Sequence, residues 1–406
     1  MADQETRVFY GWYIVAVCFV INFTVFGIAV NTFTVYVKPI SADMGWSRGQ
    51  FSFGLTLASL AMGIMAPLMG RIIDRTGARI VMTIGAVVIG SSFVVLSGAH
   101  SLWVFYLFYM ISGAGQAGTT IVPISLVISN WFKLRRGRAL GIVMTGTGIG
   151  AMVMVPLTSW IVVTWGWRTS YLIMGWVIIA MAPLALFFIK TSPSDMGLTA
   201  DGGTMDKSKP LKLQGLAAVE ALRSGSFWLI AFMMFILGLV GMGLGLHLMP
   251  YLTDIGHPEV TAGMLISIIA AMTVLGKVSM GMFADRWGIR KVILIACAVI
   301  IIGILILMKA ETIGIAVLFA VCYGYAIGTP LMINPALTAD CFGLASFGAV
   351  FGILSLFNIL GAGLGAWMAG AVYDAAGSYN PVFWIFIILT AASGVSGALT
   401  RKQPGI

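Results

Sequence analysis

The sequence predicts an all-α, polytopic membrane protein of twelve transmembrane helices in two pseudo-symmetric six-helix bundles. Three observations predict it. The chain is 60% hydrophobic and 9% charged over 406 residues, a balance that soluble domains do not have. Apolar runs of about 20 residues recur from end to end, each able to cross roughly 30 Å of hydrocarbon as a helix. A charged motif, Gly70-Arg71-Ile72-Ile73-Asp74-Arg75-Thr76-Gly77-Ala78-Arg79, recurs 211 residues later as Gly281-Met282-Phe283-Ala284-Asp285-Arg286-Trp287-Gly288-Ile289-Arg290. The same offset joins Pro39 to Pro250, Asp43 to Asp254, Gly45 to Gly256, Gly137 to Gly348, Gly141 to Gly352 and Gly150 to Gly361. Such a duplication without change of length predicts parallel halves around a central cavity.

In chain order, spans 1 to 6 fall at about 11–37, 51–70, 80–99, 102–128, 139–163 and 169–189. Spans 7 to 12 fall at about 226–253, 261–283, 292–308, 313–337, 347–372 and 381–399. The first run is too long for a signal-peptide core and is read as span 1. The predicted bundles are 1–190 and 225–406, joined by a linker over 191–224. Late in the linker, Leu211, Leu213, Leu216, Val219 and Leu222 share one helical face, as in a helix lying on the inner membrane surface.

The net charge of +9 could point to nucleic acid, but its distribution does not. With the N-terminus inside, the inner segments hold eighteen of the basic residues, among them Arg135, Arg136 and Lys291, and the outer ones only Lys38, Arg48, Arg168 and Lys309. This is a positive-inside signature that places both termini in the cytoplasm. Cys18, Cys297, Cys322 and Cys341 lie in or beside apolar spans without metal-like spacing, so they read as reduced packing residues. No nucleophile–base or metal-ligand constellation points to an enzyme, and no cofactor is expected. Gly146-Thr147-Gly148-Ile149-Gly150 superficially fits a nucleotide loop, but it lies mid-membrane with no preceding strand. It and Gly361-Ala362-Gly363-Leu364-Gly365 read as close helix contacts.

The fourteen acidic residues all fall near span ends or in loops. Lys277 is the only formal charge well within a span, about 12 Å along the helix from Asp285. A lysine at that depth costs roughly 2.5–3.5 kcal/mol on insertion scales. A substrate carboxylate can supply the counter-charge there; the alternative is an ammonium that snorkels to the inner surface. His247 lies about 10 Å from Asp254 along span 7 and can hold or pass a proton, unless it is a packing histidine. His100 and His257 read as solvated loop residues. Gln116, Asn31 and Asn358 are polar at depth and either touch substrate or bond between helices. Tyr36, and with less weight Tyr251, Tyr323 and Tyr325, can line or gate a path.

The duplicated motif, Gly70, Asp74, Arg75, Gly77, Arg79 and Gly281, Asp285, Arg286, Gly288, Arg290, resembles the signature of the major facilitator superfamily. That resemblance implies two six-helix bundles, one central site and alternating access, with the motif as a cytoplasmic latch. Asn130-Trp131-Phe132-Lys133-Leu134-Arg135-Arg136-Gly137-Arg138-Ala139-Leu140-Gly141, with Tyr10-Gly11-Trp12, is similar to the monocarboxylate porters and to the related oxalate:formate antiporters. Within that resemblance Lys38 falls where the porters carry a functional lysine, and Lys277 where they carry a substrate-binding arginine. Two departures stand out. Lysine offers a point charge in place of a bidentate fork. Thr273 stands where the porters carry the aspartate of their proton-coupling pair. Span 11 also lacks the lysine of the oxalate-type antiporters, which disfavours a dianion.

The resemblance therefore implies a secondary transporter of small monocarboxylates of the lactate or pyruvate type, coupled to protons through His247 or Lys38, in the plasma membrane, as in a bacterial inner membrane. Its expected partners are the carboxylate, H+ and the lipid bilayer, with no nucleic acid and no obligatory protein. The alternatives are an exchanger of formate- or oxalate-type anions and a non-transporting membrane carboxylate sensor.

Overall fold

The computed structural model describes residues 9–46, 48–202 and 215–403. The chain divides into two compact units, Met1–Leu213 and Gln214–Ile406. Eleven continuous helical stretches are long and apolar enough to cross a membrane. One of them, Arg136–Phe188, is 53 residues long, about 80 Å if straight and more than twice a bilayer core. It turns at Gly166, whose φ of 81° and ψ of 163° lie outside helical space, and so supplies spans 5 and 6. Twelve crossings result.

In unit 1, span 1 runs Tyr10–Met44, span 2 Arg48–Thr76, span 3 Ala78–Ser97 and span 4 Leu102–Trp131. Spans 1 and 5 meet at glycines. A Cβ on Gly27 would come within 3.1 Å of the Gly150 backbone, and one on Gly150 within 2.5 Å of the Phe23 carbonyl. Asn22 Nδ2 donates to the Val143 carbonyl across the same seam. Span 3 packs on span 6 with Gly90 against Gly175.

Unit 2 repeats this plan with spans 7 (Gly225–Asp254), 8 (Glu259–Trp287), 9 (Ile289–Leu307), 10 (Ile313–Phe342), 11 (Phe347–Ala376) and 12 (Asn380–Leu399). Spans 7 and 11 meet as spans 1 and 5 do. A Cβ on Gly361 would sit 1.9 Å from the Phe235 carbonyl, and one on Gly365 2.0 Å from that of Leu239. The duplication also shows in the backbone. Gly45, Gly77 and Gly166 have positive φ, and so do Gly256, Gly288 and Gly377, each 211 residues on.

Among the described residues, spans 1, 4, 6 and 10 are not regular helices; span 6 turns at Ala180, between Ile179 and the helix Met181–Phe188. Span 1 carries a π-helical turn over Gly27–Asn31. Span 4 breaks at Thr120, where φ is −105° and ψ −112°. Span 10 breaks at Gly328, between helices Ile313–Ile327 and Thr329–Phe342.

The linker differs from its predicted form. The helix there is only Ala218–Arg223, and Leu211 and Leu213 lie outside the described residues. Gly215 instead pairs with Gly343, and Leu216 N donates to the Phe342 carbonyl at 3.0 Å. This extended pairing keeps Leu216 out of a helix. His257 is also not solvated. It is buried, and its Nε2 lies 2.7 Å from the Ala310 carbonyl.

Candidate functional site

Span 8 carries Lys277 past its midpoint, in a turn whose neighbours are Gly276 and Ser279. Gly276 lets span 10 approach closely, since a Cβ there would fall 1.9 Å from the Tyr325 carbonyl. Lys277 is buried to 2% exposure, so its side chain is enclosed by protein and does not reach a water interface. Its aliphatic stem lies against the break in span 10. A Cβ on Gly328 would meet Lys277 Cγ at 3.0 Å and Thr273 Cγ2 at 2.7 Å. Glycine at 328 thus leaves the room that the lysine stem occupies.

A broken helix exposes backbone polar groups that a regular helix would use itself, and in membranes such breaks are tolerated where they line a cavity or binding site. The break also brings polar side chains to this depth. Thr273 Oγ1 lies 2.8 Å from the Ile269 carbonyl and 3.0 Å from that of Gly324. The hydroxyls of Thr329 and Tyr323 are buried with no hydrogen-bond partner. Tyr325 accepts from Ser279 at 2.7 Å. A cation, a break and the unused Thr329 hydroxyl next to the break form a polar centre suited to a small anion.

The sequence signalled Lys277 but not the break beside it. Gly328-Thr329-Pro330 was the available signal, because a glycine and a proline two residues apart interrupt an apolar span.

The other candidates lie in several places. His247 is half-buried on span 7, with Nδ1 3.0 Å from the Tyr379 hydroxyl and Nε2 3.1 Å from the Ala366 carbonyl. Asn358 donates to the Met234 carbonyl at 2.8 Å, bonding span 11 to span 7. Asn31 Nδ2 lies 3.2 Å from the Thr147 carbonyl and 3.3 Å from that of Phe26, so it bonds span 1 to span 5. Gln116 is buried just before the break in span 4, and its carbonyl accepts from both Thr120 N and Thr120 Oγ1. Tyr36 is fully buried in unit 1, its hydroxyl 2.9 Å from Ser170 Oγ and its ring stacked on Tyr171 at 4.2 Å. Lys38 is exposed at the far end of span 1.

The duplicated motif has its described bonds inside each unit. Arg79 Nε donates to the Leu186 carbonyl at the end of span 6. Arg290 Nε donates to the Thr400 carbonyl at 2.7 Å, past the end of span 12, and its NH1 pairs with Asp340 at 2.9 Å. Gly77 and Gly288 make the turns with positive φ. Gly70 and Gly281 are buried, while Arg75 and Arg286 are exposed. The other two sequence motifs meet. Tyr10 and Phe9 pack on Trp131, and Trp12 packs on Phe132 with Arg138 over its indole. A Cβ on Gly11 would fall 3.0 Å from the Phe132 ring, so this glycine permits the contact.

A duplicated all-helical chain of twelve crossings, with a polar centre buried in an apolar unit, defines a multi-pass membrane transporter. The sequence profile of the Major Facilitator Superfamily matches residues 15–334 and again 248–405. The chain belongs to the Major Facilitator Superfamily, and it is a transporter, not an enzyme. It is 23% identical over 395 residues to "Monocarboxylate transporter 13" of Rattus norvegicus, covering 95% of this chain and 88% of that one. It is 26% identical over 390 residues to the "Uncharacterized MFS-type transporter YcxA" of Bacillus subtilis (strain 168), covering 93% of each. Among solved structures, the proton:xylose symporter XylE superposes with a TM-score of 0.78 at 16% identity, over 95% of this chain and 94% of that one. This last likeness shows the fold alone.

Proposed function

We propose that the chain is a secondary transporter of small monocarboxylates of the lactate or pyruvate type, and that Lys277 binds the carboxylate. The observation that carries the reading is a lysine buried to 2% in mid-span and packed against the break in span 10. A bound carboxylate offsets the cost of holding an ammonium at that depth. Its oxygens accept from Lys277, and the Thr329 hydroxyl supplies a further donor. Lysine binds as a point charge without bidentate geometry, which suits a set of small acids sharing only the carboxylate. Relatives named as monocarboxylate transporters support the same substrate class.

Transport is proton-coupled in this reading. Thr273 cannot carry the proton, because its hydroxyl does not titrate and is engaged with backbone carbonyls. The proton then rides on His247, on Lys277 itself or on a protonated substrate. In the same reading the 2–3, 4–5 and 8–9 turns and both termini face the cytoplasm across a bacterial inner membrane, which the basic residues of those turns support.

The test is uptake of labelled lactate into proteoliposomes, challenged with pyruvate, formate, oxalate and lactamide. Pyruvate should compete at concentrations where lactamide, which lacks the negative charge, does not. Oxalate should compete less well than pyruvate. Failure of correctly inserted protein to take up any of these acids would exclude the substrate class.

A further inference from the structure

The two units can be compared residue by residue, because the offset of 211 holds through their corners. It places Tyr36 opposite His247, Asp43 opposite Asp254 and Arg168 opposite Tyr379. In unit 1 these three positions are closed by chemistry that does not change near neutral pH. Arg168 pairs with Asp43, which also accepts from Trp167 Nε1 at 3.0 Å. Tyr36 is sealed against Ser170 and Tyr171. An arginine stays charged and a phenol stays neutral throughout the physiological range.

Unit 2 has the same corner with different groups. The arginine is replaced by Tyr379 and the sealed phenol by His247, and Asp254 remains. The Ala366 carbonyl can only accept, so His247 Nε2 carries a hydrogen. Nδ1 then faces the Tyr379 hydroxyl at 3.0 Å. This hydroxyl can donate to a neutral Nδ1 or accept from a protonated one, so the same geometry serves both charge states. The Tyr379 ring stacks on Tyr373 at 4.3 Å, and the Tyr373 hydroxyl reaches Asp254 at 3.4 Å. Burial, and then the Asp254 carboxylate, push the Tyr379 phenol up, so it keeps its hydrogen.

The surrounding elements add acids and phenols. Span 7 contributes Asp254 and Tyr251, which lies edge-on to Tyr379 at 5.8 Å. Span 11 contributes Tyr373 and Asp374, whose charge acts on Tyr379. From the turn between spans 9 and 10, Glu311 acts on Tyr251. Tyr251 itself bonds the Leu307 carbonyl, and His257 bonds that of Ala310. Asp254, Asp374 and Glu311 are acidic, and Lys309 stands in the same turn as Glu311.

We infer that His247, Tyr379 and Asp254 form a proton-binding site at the end of unit 2, with His247 as the group that takes the proton. The proton comes from bulk water and forms an N–H bond at Nδ1. The bond to Tyr379 reverses direction, the bond from Nε2 to Ala366 stays, and Asp254 balances the new charge. This inference deepens the carboxylate reading by naming the proton site of the same transporter, and it rests on that reading only for the coupling role.

The experiment is solution NMR of protein with 15N-labelled histidine in lipid nanodiscs, without substrate, over about pH 5 to 9. The three histidines are assigned by loss of one signal pair in His247→Gln. The His247 pair should move from the neutral Nε2–H pattern to the imidazolium pattern as pH falls. Asp254→Asn removes the counter-charge of the imidazolium, so it should move the midpoint down by about half to one pH unit; Tyr379→Phe removes a partner of both charge states, so it should shift the Nδ1 signal of the neutral ring. The His257 signal, fixed by Ala310, reports that each variant is folded. A His247 ring that stays neutral throughout, a midpoint unmoved in folded Asp254→Asn, or an Nδ1 signal unmoved in folded Tyr379→Phe would overturn the site. Because no substrate is present, either result is independent of whether carboxylates are carried.

Discussion

At Gly361 a Cβ would stand 1.9 Å from the Phe235 carbonyl, whereas at Gly363, two residues away, it would meet nothing within 4 Å. Both belong to a glycine-rich run that reads in sequence as one close helix contact. The helical period separates them, because positions i and i+4 share a face while i and i+2 do not. Gly361→Ala should therefore force span 7 away and lower stability by about 1–3 kcal/mol. Gly363→Ala should be neutral or stabilising by up to about 1 kcal/mol through helix propensity. Thermal unfolding in one detergent compares the two. Lys277 was legible for a simple reason, since a formal charge stands out in an apolar span. Tyr36 was legible as a polar residue at depth, but nothing in the sequence reveals that Ser170, 134 positions on, takes its hydroxyl. The same holds for His257 and Ala310. Such pairings depend on which helices are neighbours, and single-span periodicity does not carry that information.

At the scale of elements, hydropathy predicted the spans well because length and apolarity are what a bilayer demands. Interruptions were less legible. Gly166 turns the chain between spans 5 and 6 with φ of 81°, a conformation open to glycine and costly to side chains. Gly166→Ala should destabilise by about 1–3 kcal/mol although its Cβ would meet nothing, because the cost is backbone strain. The break at Gly328 comes just before Pro330, which has no N–H to continue the helix ladder, a local signal that a measure of apolar length does not weigh. Span ends are anchored by the motif arginines. Arg290 holds the Thr400 carbonyl and Asp340 together, so Arg290→Ala should lower the melting temperature more than Asp340→Asn, which removes one partner only. Charge-assisted bonds of this kind contribute about 1.5–3 kcal/mol. Equal melting temperatures for the wild type and Arg290→Ala would show that the anchor contributes nothing.

At the scale of the whole molecule, the duplication was the strongest sequence signal, and it returns in the paired positive-φ glycines. It was legible because both copies keep one length. In the proposed reading the differences between copies carry the function: a lysine within span 8, and a histidine corner where unit 1 has an ion pair. The proposed orientation predicts that a cysteine placed at Lys133 in the 4–5 turn is labelled by an impermeant maleimide only after the membrane is opened. One at Ser378, before span 12, should be labelled in intact cells. The reverse pattern would invert the topology.

The central claim is that Lys277 holds the substrate carboxylate, and counterflow of labelled lactate in proteoliposomes tests it most directly. Wild type and Lys277→Ala are compared at equal amounts of inserted protein. Loss of a charge-assisted contact predicts about 10- to 100-fold weaker apparent affinity for lactate in the variant. Counterflow with unchanged affinity in Lys277→Ala would contradict the account.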